Sequence, residues 1–96
     1  MNNPRAQVTS RTQTNRNEFW SIVNDCLVEF HKLTPHDARY RTHRLRDQIE
    51  SAPRSTPTVG FYHSEPFDVA CDLAETQLDF LRFRKQYECL LKQHGW

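Results

Sequence analysis

Residues 66–93, PFDVACDLAETQLDFLRFRKQYECLLKQ, decide how this chain folds. Mostly apolar side chains recur along the stretch at alternating steps of four and three, the spacing that keeps them on one side of a helix. This pattern predicts one continuous C-terminal helix over about 65–93 that turns the row towards the core. The row consists of Val69, Leu73, Thr76, Phe80, Phe83, Tyr87 and Leu90.

The same stretch carries more apolar area than one neighbouring helix can cover. We expect the surplus to stay exposed and to contact a protein partner or a second copy of the chain. Aromatic side chains suit this use, because a few buried rings can dominate the free energy of an interface. The expected partner-binding residues are Phe67, Cys71, Leu78, Phe83, Tyr87, Leu91 and Trp96.

Length and composition narrow the class of protein. Ninety-six residues suffice for one domain, and 13 Lys and Arg against 12 Asp and Glu leave a net charge of +1. So small a charge gives no global field towards nucleic acid or an anionic membrane. The three cysteines are widely spaced without a C-x-x-C pair, which argues against a disulfide framework or a cysteine zinc site. We expect a cytoplasmic protein without a membrane span or cofactor.

The polar stretch 1–14 has few apolar residues and is predicted to be a flexible tail, which leaves 15–96 as a single helical domain. Helix one is expected over 16–33, with Asn15 as its cap. Helix two is expected over 35–51, because Thr34-Pro35 is a typical helix start.

Proline and glycine break the helical pattern between residues 52 and 64. We expect an extended strap there, held against the helices by Val59, Phe61 and Tyr62, with Ser64 capping the last helix. The predicted fold is therefore all-α: a three-helix antiparallel bundle with a long C-terminal helix and an extended strap between helices two and three.

Charged and histidine-containing clusters are interpreted as surface features. The basic cluster on helix two is expected to be partly ion-paired, since Asp37 and Glu50 each lie four residues from an arginine. An acidic edge on the last helix is expected to face these arginines. Neither the histidines of helix two nor Tyr62, His63 and Glu65 have a nucleophile or a metal-ligand spacing beside them. We therefore assign no catalytic, metal or cofactor residue. The basic cluster is Arg39, Arg41, His43, Arg44 and Arg46; the acidic edge is Asp68, Asp72, Glu75 and Asp79.

Residues 69–76, VACDLAET, and 80–88, FLRFRKQYE, support an alternative function. Together they resemble the helix-turn-helix of insertion-sequence transposase subunits, with Ala74 in place of the turn glycine. The resemblance implies a break near Glu75, a recognition helix starting at Thr76, and a DNA-binding regulator with a degenerate motif at 69–88. DNA contacts would come from Gln77, Arg82, Arg84 and Lys85.

Overall fold

A computed structural model describes the backbone of residues 4–51, 61–62 and 64–96, and the side chains from residue 16 onwards within these ranges. The described part is all-helical, as predicted, and contains no strand. None of its helices is long and apolar enough to span a membrane. The four helices are α1 (Pro4–Glu29), α2 (Pro35–Glu50), α3 (Pro66–Ala74) and α4 (Phe80–Gln93).

The second half of α1 is the centre of the packing. It is buried on several sides because α2, α3 and α4 all contact it. A few large apolar side chains thereby remove most of the core area from water, which is the main favourable term in folding. Among the described side chains of α1, the buried ones are Phe19, Trp20, Ile22, Val23, Cys26 and Leu27.

Both ends of α1 differ from the prediction. The helix begins at Pro4, a residue suited to the first turn, so Asn15 is not its cap. It ends at Glu29, four residues early, because Lys32 adopts a left-handed φ of 61° that reverses the chain. The side chains of residues 1–15 lie outside the described part, and the division into a tail and a domain stays a prediction.

Helix α2 has nearly the predicted bounds. The Thr34 hydroxyl accepts a hydrogen bond of 3.1 Å from the Asp37 amide, and Pro35 occupies the first helical position. The ion pairs predicted from the i, i+4 spacing also form: Arg41 to Asp37 at 3.2 Å and Arg46 to Glu50 at 3.1 Å. Local sequence signals therefore account for this helix.

The predicted continuous C-terminal helix is wrong, because the chain leaves the helix after Ala74. Glu75 takes the left-handed conformation, with φ 55° and ψ 33°. The Glu75 amide donates to the Asp72 carbonyl and the Thr76 amide to the Cys71 carbonyl, both at 3.1 Å. This pair of bonds is the Schellman arrangement that satisfies the last carbonyls of a helix. A separate helix, α4, then begins.

A contact from α2 stabilises this break. In a continuous helix the Leu73 carbonyl would accept from the amide four residues later; here it accepts from the Arg41 guanidinium at 2.8 Å. A cation is favourable there, since the carbonyl end of a helix carries partial negative charge. The expected pairing of the acidic edge with the α2 arginines does not occur among the described residues. Arg41 binds a backbone carbonyl instead.

Helix α4 contacts the start of α3 through aromatic side chains. The ring of Phe67, at the start of α3, lies 5.2 Å from that of Phe80 and 5.5 Å from that of Tyr87. The Tyr87 hydroxyl donates to the Glu65 carboxylate at 2.8 Å. Burial is the main reason why the Tyr87 pKa is raised, and this hydrogen bond raises it further. Glu65, not Ser64, is the cap residue of α3, and its side chain contacts Tyr87 instead of the helix amides.

Of the predicted strap, residues 52–60, including Val59, and residue 63 lie outside the described part. The two aromatic residues that follow them contact α1. Phe61 stacks on Trp20 at 5.4 Å between ring centroids, and the Trp20 indole donates to the Tyr62 hydroxyl at 3.3 Å. These contacts attach the chain before α3 to the core.

Replacing Glu75 with glycine should stabilise the protein. A left-handed conformation is unfavourable for a residue with a Cβ, whereas glycine adopts it readily. After subtracting the greater freedom of glycine in the unfolded chain, we expect a gain of about 0.5 to 1 kcal/mol, or a rise in Tm of about 2 to 8 °C. Thermal and urea denaturation would measure it.

The adjacent Thr76→Gly is the matched control. Thr76 is also exposed but is not among the residues with positive φ. Glycine there should lower stability by about 0.5 to 1 kcal/mol. If Glu75→Gly and Thr76→Gly lowered the stability equally, the strained conformation of Glu75 would be contradicted.

Candidate interaction surface

Three of the residues expected on an exposed apolar surface are in the core. Phe67, Cys71 and Tyr87 are only 1%, 2% and 2% exposed, because α3 packs against α1 and the rings of Phe67 and Tyr87 pack against each other. Burial also raises the pKa of the Cys71 thiol, partly offset by a backbone hydrogen bond from Leu78. None of the three is available to a partner of the folded chain.

The other expected residues keep part of their surface. Leu78, Phe83 and Leu91 are half-buried against the core, and Trp96 is 43% exposed, with its ring 6.4 Å from that of Phe19. These four side chains do not form one patch with the three buried ones. The predicted surface is therefore divided by the break.

The break exposes two apolar side chains outside the expected partner-binding residues, and one of them, Phe80, was expected to face the core. Phe80 is 41% and Leu81 76% exposed, both in the first turn of α4. Asp79 is the sequence signal for a new helix at this point. Its carboxylate accepts from the Leu81 amide at 3.2 Å and caps α4. An aspartate just before an apolar run is a typical helix start.

Four side chains lie in a row along α4, at steps of three, four and three; the first three are exposed and the last is half-buried against the core. We call Leu81, Arg84, Glu88 and Leu91 the outer row. Arg84 and Glu88 pair at 3.1 Å and are 62% and 54% exposed. The row reads apolar, basic, acidic, apolar.

The residues expected to contact DNA are only partly brought together. Arg82, Arg84 and Lys85 are exposed on α4, but Gln77 lies in the turn, where its amide contacts the Leu78 carbonyl at 3.4 Å. Helix α4 begins at Phe80 and not at Thr76, because Asp79 supplies its cap. The turn is therefore longer than the resemblance implies.

A polar cluster attaches the C-terminus to α1. Nδ1 of His94 lies 2.6 Å from the Glu18 carboxylate and Nε2 lies 2.7 Å from the Asp25 carboxylate. Burial lowers the His94 pKa, but the hydrogen bonds and charges of Asp25 and Glu18 outweigh it, so the pKa is raised. Both ring nitrogens donate to carboxylates, so the imidazolium joins the C-terminus to α1. It has no free ring nitrogen that could act as a general base.

The remaining histidine clusters show no catalytic or metal-binding geometry in the part of the chain that the structure describes. His36, Tyr40 and His43 are exposed on α2, while His63 lies outside the described residues. Within the described ranges, no group of three or more His, Cys, Asp or Glu side chains could hold a metal ion.

Comparison of the chain with protein-family models, curated proteins and solved structures finds no match. The resemblance of residues 69–88 to a transposase motif therefore has no family match behind it. The functional argument rests on the geometry of α4 and of the C-terminal cluster.

Replacing His94 with glutamine should destabilise the protein mainly at low pH. A raised folded-state pKa means that the contribution is complete below the unfolded pKa of about 6.5 and is lost as pH rises through the folded value. We expect a loss of about 1 to 2 kcal/mol near pH 6, discounted because both carboxylates are partly exposed, and a smaller loss near pH 9. Urea denaturation at the two pH values measures it.

His36→Gln is the control, because His36 is exposed on α2. It should change stability by less than about 0.5 kcal/mol at either pH. If His94→Gln lowered the free energy of unfolding equally at both pH values, the ion pairs of a protonated His94 would be contradicted.

Proposed function

We propose that this chain is a non-enzymatic interaction module that self-associates, with two α4 helices pairing antiparallel along the outer row. The observation that supports it is the order of that row: apolar, basic, acidic, apolar. Such an order is complementary to itself when the α4 helices of two copies lie antiparallel.

The pairing follows from simple geometry. Leu81 and Leu91 are equally distant from Gln86 along α4, and so are Arg84 and Glu88. A two-fold axis at the level of Gln86 would place Leu81 against Leu91 of the second copy. It would also place Arg84 against Glu88 of the second copy, twice. A two-fold interface requires this kind of self-complementary patch.

The apolar contacts supply most of the affinity. Full burial of a leucine stabilises by about 1.5 to 3 kcal/mol, and Leu81 is 76% exposed in the single chain. Exposed ion pairs add about 0 to 1 kcal/mol each, and association costs at least about 4 kcal/mol of lost freedom. The most favourable sum of these contributions is about −5 kcal/mol, so we expect a weak dimer, with a Kd of about 0.3 mM or weaker.

A charge exchange tests the pairing. Arg84→Glu would place two acidic side chains opposite each other at both of the charged contacts between the copies and should weaken the dimer about threefold or more. The double variant Arg84→Glu, Glu88→Arg restores opposite charges within and between copies. It should recover most of the affinity, as measured by analytical ultracentrifugation at several concentrations.

Arg82→Glu is the matched control. It makes the same charge change on the same exposed helix but lies outside the outer row. It should leave the Kd within about twofold. A strictly monomeric chain at high concentration, or equal effects of Arg82→Glu and Arg84→Glu, would overturn the proposed self-association.

A DNA-binding regulator is the second candidate. One observation favours it: the chain turns at Glu75, where the resemblance to a helix-turn-helix requires a break. Helix α4 also presents Arg82, Arg84 and Lys85 to solvent, as phosphate contacts require.

Duplex DNA binding measured at several salt concentrations tests this candidate. Each lost phosphate contact should reduce the slope of log affinity against log salt by about 0.9, so Arg82→Glu should weaken binding and flatten the slope. The double charge exchange keeps Arg82 and separates the two functions, because it should preserve self-association. Absence of a mobility shift at low salt would remove the DNA-binding candidate and leave the dimer untouched.

A further inference from the structure

An open cavity of about 410 Å³ lies between α2 and the C-terminal end of α3, and we call it the α2–α3 cavity. Its volume falls within the range of about 300 to 1,000 Å³ that is typical of small-molecule sites. No residue of the outer row lines it, and none of the residues expected to contact DNA does. The cavity therefore does not depend on the proposed self-association or on the DNA-binding candidate.

Part of the lining of the α2–α3 cavity is apolar. Leu45 of α2 and Leu73 of α3 are half-buried there, and Tyr40, also in the lining, is 59% exposed. An exposed aromatic ring in a concave site offers a large apolar area that is still in contact with water. These three side chains favour a ligand with an apolar group of its own.

Arg41 joins the two helices that form the cavity. Its guanidinium pairs with Asp37 on α2 at 3.2 Å and donates to the Leu73 carbonyl on α3 at 2.8 Å. The charges of Asp37 and Arg41 therefore neutralise each other within the lining. The contact between the helices exists before a ligand binds, which reduces the entropy that binding costs.

Two opposite charges of the lining have no such partner. Arg44 on α2 and Glu75 at the end of α3 are both exposed, and neither forms an ion pair with another described residue. The lining as a whole is therefore neutral, but it presents one cation and one anion from different elements. This arrangement is complementary to a zwitterion and not to an ion of a single sign.

The conformation of Glu75 is a second observation that points to its side chain. A glutamate with φ 55° is unfavourable, and glycine adopts this conformation readily. Unfavourable backbone conformations are concentrated at active sites and ligand-binding sites. An ammonium group of a ligand would give the Glu75 carboxylate the partner that the described part of the chain does not provide.

We propose that the α2–α3 cavity binds a free α-amino acid with a large apolar side chain. The carboxylate of the amino acid pairs with Arg44, and its ammonium group pairs with Glu75. Its side chain packs against Tyr40, Leu45 and Leu73. A planar guanidinium binds a carboxylate through two parallel hydrogen bonds. Because both charged contacts are exposed, we expect weak binding, with a Kd of about 1 mM.

Titration with L-phenylalanine, followed by NMR at constant ionic strength, tests the site. We expect saturable shifts at the Tyr40 ring and the Leu73 methyl groups. Arg44→Gln and Glu75→Gln should each weaken binding about threefold or more, because each removes one charged contact with the ligand. Glu75→Gly should also weaken binding although it raises the Tm, which separates loss of the site from loss of the fold.

Arg39→Gln on α2 and Asp72→Asn on α3 are the matched controls. They remove the same charges from exposed positions that do not line the cavity, and each should change the Kd less than about twofold. Equal losses in the cavity variants and in these controls would overturn the site.

Three analogues test the ligand class. Phenethylamine lacks the carboxylate and 3-phenylpropionate lacks the ammonium group, so each should bind several-fold more weakly than phenylalanine. Equal affinity of either one would overturn the assignment to a zwitterion. Glycine keeps both charges but has no side chain, and equal affinity of glycine would overturn the apolar contact with Tyr40. Failure of phenylalanine to saturate the protein below about 20 mM would overturn the site itself.

Discussion

The left-handed turn at Glu75 is the constraint on which the C-terminal third of the structure depends. It ends α3 and leaves the Leu73 carbonyl without its usual helical donor, and Arg41 of α2 supplies one at 2.8 Å. Because the turn is made, aromatic rings of α4 reach the start of α3 and pack around Phe67. A left-handed glutamate costs about 1 to 2 kcal/mol, which the burial of a phenylalanine and a tyrosine outweighs.

The reversal of the chain at Glu75 buries some apolar side chains of α4 and exposes others. Tyr87 becomes buried and its hydroxyl binds Glu65, which joins the third turn of α4 to the start of α3. Leu81, in the first turn of α4, is left facing solvent. The outer row is therefore a product of the turn: in a continuous helix the same side chains would have had different neighbours.

The C-terminus closes the structure from the other end of α4. His94 joins two carboxylates that lie two helical turns apart on α1, and it also lines a polar cavity between α1 and α2. Loss of the His94 hydrogen bonds would therefore also free one of the residues that line the cavity. The outer row does not line this cavity; Leu81, Arg84 and Glu88 face solvent, and Leu91 is half-buried against the core.

The sequence by itself determined the helical class, the bounds of α2 and the ion pairs within it, because caps and i, i+4 spacing act within a few residues of chain. The tertiary structure decided the break at Glu75, since Ala74-Glu75-Thr76 is locally compatible with helix and the stabilising Arg41 lies 32 residues from Leu73. It also decided the burial of Phe67, Cys71 and Tyr87 and the His94 cluster, whose members are 69 and 76 residues apart. Such contacts depend on where the folded chain brings distant side chains, which local periodicity does not encode.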